Sequence, residues 1–79
     1  MSYGRGIGVS EASNILGSNI ADERKAQGMT REDLALRAGL ACEELARIEE
    51  GLDDPRVFST VARIADALGV DLPFLLRGM

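Results

Sequence analysis

Few side chains in this 79-residue chain could do covalent or proton-transfer chemistry. Histidine is absent and Cys42 is the one cysteine, so the chain offers no imidazole base, no ordinary metal site and no internal disulfide. Cys42 falls where a helix should begin, and a helix dipole there would lower a thiol's pKa and favour redox chemistry. A small residue at a small site is the simpler account. Asp53 and Asp54 are neighbours in an Asp-Asp-Pro turn, not an acid/base pair facing each other across a cleft. No glycine loop has the spacing that cradles phosphate. These features argue against an enzyme, a metal or a cofactor.

The one carboxylate in an unusual place is Glu49. It belongs to the stretch Met29 to Gly51, MTREDLALRAGLACEELARIEEG, around which the chain is organised. Thr30 can cap a helix there, with Asp33 three residues on where a capping-box acid would sit. Leu34, Ala35 and Ala38 share one face, and Gly39 can take the positive φ that stops the helix. Leu40 follows as an apolar plug. A second helix then runs from about Ala41 to Glu50, and Gly51 ends it. At about 100° per residue, Ala41, Leu45 and Ile48 point inward, while Glu43, Arg47 and Glu50 face solvent or a partner. Glu49 lies close to the inward stripe. A half-buried carboxylate needs a cation, and Arg24 on the preceding helix is the candidate. Two short helices about a glycine turn make a helix-turn-helix pattern.

The other elements must position this pair. Residues 1–10, MSYGRGIGVS, are glycine-rich and aperiodic, and are expected to be a mobile arm. Arg5 could reach a groove or a phosphate from it, although a disordered start is the plainer account. A first helix is predicted from about Glu11 or Ser13 to Gln27, with Ile15, Leu16 and Ile20 buried. Gly17 inside it costs about 1 kcal/mol relative to Ala, which close approach of another helix would explain. Arg24 and Lys25 suit the last turn of that helix. Leu52 to Arg56 reads as a loop. A fourth helix, about Val57 to Leu68, turns Val61, Ile64, Ala65 and Leu68 inward and Arg63 and Asp66 outward. Asp71 is expected to cap a short last helix with Pro73 in its first turn. Phe74, Leu75 and Leu76 form an apolar patch that covers the core or meets a second subunit. Strand-length alternation is missing, so the expected fold class is all-α, in one domain at 11–79. No apolar run approaches a membrane span, and a soluble cytoplasmic protein is expected.

The words LGSNIADERKAQGMTREDLALRAGL, ELARIEEG and RIADALGVDLPFLLRG resemble the Cro/C1-type helix-turn-helix domain of phage-repressor-like, xenobiotic-response-element-type transcriptional regulators. The resemblance covers Leu16 to Gly78. It implies a compact five-helix bundle of the lambda-repressor-like DNA-binding type, with the helix-turn-helix at about 30–50 and the helix at 41–50 reading double-stranded DNA. It also implies that Arg24 and Glu49 form the partly buried ion pair of such domains, a structural pair and not a DNA contact. The start of the second helix meets phosphate in this family, and the matching position here is Arg31. The recognition helix reads bases from early, outward positions, which here are Cys42, Glu43, Glu44, Ala46 and Arg47. Arg47 could grip a guanine edge and Glu43 could accept from a cytosine amino group. Arg37 and Arg56 are further expected contacts. A homodimer through the C-terminal apolar patch would dock two such helices in successive major grooves.

This chain departs from that pattern in charge. Thirteen acids stand against nine bases, a formal net charge of -4. Between Met29 and Gly51 there are three arginines and six acids. Each carboxylate aimed at a duplex adds repulsion where counterion release should give affinity. Ala41 also replaces the usual Ser or Thr cap, and Asp53 and Asp54 occupy a loop that is often basic or polar. A second reading is therefore a protein-interaction module whose acidic face meets a basic partner.

Overall fold

The computed structural model describes residues 7–52 and 58–78, with side chains at 14–52 and 59–78. Five helices follow in order: α1 Ile7–Ala26, α2 Arg31–Ala38, α3 Cys42–Glu49, α4 Phe58–Leu68 and α5 Leu72–Leu75. The fold is all-α, as composition and periodicity predict. Asp53, Asp54 and Arg56 lie outside the described residues, as does Arg5 of the expected arm.

Each helix contributes one apolar stripe to a single core. Leu16 and Ile20 come from α1, Leu34, Ala35 and Ala38 from α2, and Leu45 and Ile48 from α3. Val61, Ile64, Ala65 and Leu68 enter from α4, and Leu75 from α5. Complete burial of a Leu or Ile contributes about 1.5–3 kcal/mol, so these stripes drive the assembly. The helix α1 packs on α3, α4 and α5, while α2 packs on α3 and α4. Two side-chain amides, one in α1 and one just after it, then tie this segment to the later helices. Asn19 Nδ2 donates to the carbonyls of Leu75 (2.9 Å) and Arg77 (2.8 Å), and Gln27 Nε2 donates to that of Leu68 (2.7 Å).

Four details differ from the sequence-based expectations. The helix α1 begins at Ile7, not at about Glu11 or Ser13. An established helix gains one hydrogen bond per residue added, so it propagates back through residues with no periodicity of their own. Ile15 is only half-buried, while Gly17 is buried against α3. Ala41 is exposed, because it is the extended cap residue of α3 (φ -72°, ψ 143°) and lies outside the helical phase. Asp71 does occupy the cap position of α5, but its side chain makes no capping hydrogen bond.

The start of α2 is fixed by a reciprocal cap. Thr30 Oγ1 accepts from the Asp33 amide at 3.0 Å, and Asp33 Oδ2 accepts from the Thr30 amide at 3.1 Å. The bond from the Thr30 backbone, then that from its side chain, hold the Asp33 carboxyl below the usual carboxylate range. A depressed folded-state pKa stabilises the fold at neutral pH, and that stabilisation disappears as pH falls through the folded value. Asp33→Asn should therefore flatten the acid limb of the stability profile, measured as urea midpoints from neutral to acid pH. The start of α3 is the opposite case, since Ala41 supplies no side-chain cap. Ala41→Ser is expected to raise stability by about 1 kcal/mol in the same assay.

Candidate functional site

The α2–turn–α3 unit is set by its glycine. Gly39 sits in the left-handed region at φ 72°, ψ 33°, where a side chain would be strained. The Leu40 amide then donates back to the Ala35 carbonyl at 2.9 Å, closing the end of α2. Leu40 packs half-buried against the core, as does Cys42. Leu45 and Ile48 seat α3 on the core, leaving Glu43, Glu44, Arg47 and Glu50 exposed on its far side and Ala46 half-buried.

Seating α3 also requires close contact with α1. A Cβ on Gly17 would run into the carbonyl oxygen of Ile48 and come within 2.6 Å of that of Glu49. The backbones of the two helices thus meet where the sequence places a glycine, which accounts for a residue that is otherwise unfavourable in mid-helix.

The buried carboxylate of Glu49 is shared by two arginines. Arg24 Nε donates to Oε2 at 2.8 Å and Arg24 Nη2 to Oε1 at 3.0 Å, a forked pair. Arg24 Nη1 also donates to the Met29 carbonyl at 2.9 Å, so the guanidinium is satisfied on both sides. Arg31 Nε adds a bond to Glu49 Oε1 at 2.9 Å, and Arg31 Nη1 lies 3.3 Å from Glu50 Oε2. The bond to Glu49, and then the charges of Glu49 and Glu50, raise the Arg31 pKa above its ordinary value. The angular reading of α3 identifies the Arg24–Glu49 pair but misses Arg31. One signal was available: Arg31 is the first residue of α2, where the helix dipole disfavours a cation unless carboxylates stand near.

The expected contact residues are thus distributed unevenly. Arg31 is brought against Glu49 and Glu50 at one end of the unit. Arg37 lies exposed in the last turn of α2, six residues on and about 9 Å further along its axis. Glu43 and Arg47 share the exposed side of α3 with Glu44, while Cys42 and Ala46 lie at its half-buried edge. Among the described residues no group of acidic or cysteine side chains could hold a metal, and no helix is long and apolar enough to cross a membrane.

Two short helices about a left-handed glycine, the second seated on a five-helix core with one face outward, define a helix-turn-helix domain. The helix-turn-helix family profile matches residues 20–75. An uncharacterized HTH-type transcriptional regulator, y4dJ of Sinorhizobium fredii, is 38% identical over 56 residues, covering 71% of each chain. The restriction-modification controller protein C.AhdI of Aeromonas hydrophila shares the fold, with a TM-score of 0.76 and 24% identity over 80% of this chain and 94% of that one. The hypothetical transcription factor NHTF from Neisseria has a TM-score of 0.77 and 28% identity, covering 82% of this chain and 74% of that one. The chain belongs to the helix-turn-helix family of transcriptional regulators.

Proposed function

We propose that α3 is the recognition helix and enters the major groove of double-stranded DNA, with Glu43 and Arg47 toward base edges. Cys42 and Ala46 line its near edge, Arg31 meets a phosphate, and Arg37 and Arg56 add backbone contacts. The observation that carries this is the seating of α3: Leu45, Ile48 and Glu49 are buried while Glu43, Glu44 and Arg47 project from a rigid support. Two such helices on a symmetric operator require a homodimer. Phe74, exposed beside half-buried Leu76, supports the C-terminal patch as the subunit contact.

Fluorescence anisotropy against mixed genomic DNA fragments, at low and moderate salt, tests the reading. Binding should weaken steeply with salt, as phosphate contacts require. On a selected operator, Arg47→Ala should cost about 1–3 kcal/mol and relax preference at the base it contacts. Sedimentation in the same buffer should return a dimer that Phe74→Asp dissociates. The alternative, a module that meets a basic protein, is favoured by the exposed carboxylates of Glu43, Glu44 and Glu50. It becomes the better account if no DNA is bound at low salt.

A further inference from the structure

Arg31 begins α2, where unsatisfied amides and the helix dipole favour anions. It is held there by two carboxylates from the far end of α3, and the two differ in kind. The Glu49 side chain is wholly buried and also receives the Arg24 fork, so Arg31 Nε is bonded to an acceptor that solvent cannot reach. The Glu50 side chain is 51% exposed, and its oxygen lies a longer 3.3 Å from Nη1. An anion gripping Arg31 from solvent would use the Nη1–Nη2 fork, because Nε is committed to Glu49. Glu50 stands on one arm of that fork.

We propose that Glu50 limits DNA affinity by occupying the fork of Arg31 that a phosphate must take, while Glu49 keeps the guanidinium in position. This rests on Arg31 being a phosphate contact. Binding exchanges one anion for another on the same cation, so it releases fewer counterions than an unpaired arginine would. Glu49 is the positioning residue and Glu50 the competitor.

The test is anisotropy on a short mixed-sequence duplex, titrated with salt, for the wild type, Glu50→Gln, Glu44→Gln, Arg31→Gln and the Arg31→Gln/Glu50→Gln double variant. Glu44 is exposed on the same helix and controls for simple loss of a negative charge. Glu50→Gln should bind roughly two- to fivefold tighter at low salt, the range of an exposed ion pair. Its slope of log affinity against log salt should steepen by up to about one. Glu44→Gln should do less of both, and Glu50→Gln should change little once Arg31 is glutamine. Equal gains from Glu44→Gln and Glu50→Gln, equal gains from Glu50→Gln with and without Arg31, or no gain at all, each overturn the competition and leave DNA binding standing. No binding at low salt by the wild type or Glu50→Gln overturns the DNA-binding reading, and the competition with it.

Discussion

Glu49→Ala is expected to lower folding stability by about 3–5 kcal/mol, the range for breaking a buried ion pair. The loss comes from what remains behind. Arg24 would stay 8% exposed with its forked acceptor gone, and Arg31 would lose the bond that satisfies Nε. A domain of this size has a total stability toward the low end of about 5–15 kcal/mol, so much of the population should unfold. Urea denaturation followed by circular dichroism measures it. Arg31→Gln should be far milder, within about 1 kcal/mol, because the Arg31 side chain is 36% exposed and Arg24 still satisfies the carboxylate. A loss below that from Glu49→Ala would mean the triad contributes little to holding α3.

Gly17→Ala should move stability in the direction opposite to its helix propensity. In an open helix interior the change gains about 0.5–1 kcal/mol. Here the new methyl meets two backbone carbonyls of α3, which cannot rotate away as a side chain would. Net destabilisation of about 1–3 kcal/mol is expected, the usual range for overpacking. Thermal melting gives the sign directly. A raised midpoint would show that α1 and α3 approach less closely than the backbone geometry requires.

The parts of this fold legible in the sequence are those governed by local rules. Thr30 with Asp33 and Gly39 at the end of α2 announce their positions through capping and backbone conformation, and the structure shows both. The faces of α3 and α4 follow from helical phase. That phase also placed Glu49 near the core and so called for Arg24. The unread parts depend on how helices meet. Arg31 reaches Glu49 across 18 positions, a contact that no periodicity encodes. Helical phase turns Ala41 inward, yet a cap residue stands outside that phase and Ala41 is exposed. The charge count between Met29 and Gly51 also treated all six acids alike. One of them, Glu49, is internal and forked to Arg24, a cation from outside that stretch, so the three arginines counted there stand against five acids and not six.

The seating of α3 has a consequence for how readily such a domain can change its target. Gly17 fixes how near the helix lies to α1, and Glu49 fixes its roll about its own axis. Both constraints act from the inner side, through backbone and buried charge. Glu43 and Glu44 take no part in either, and project from the exposed side. If α3 is the reading helix, as proposed, mounting and reading are therefore separate properties of one eight-residue helix. On the proposed reading of α3, Glu43 or Glu44 can be exchanged to alter what is recognised without disturbing how the helix is aimed, so a new specificity is reachable by single substitutions that leave the scaffold intact.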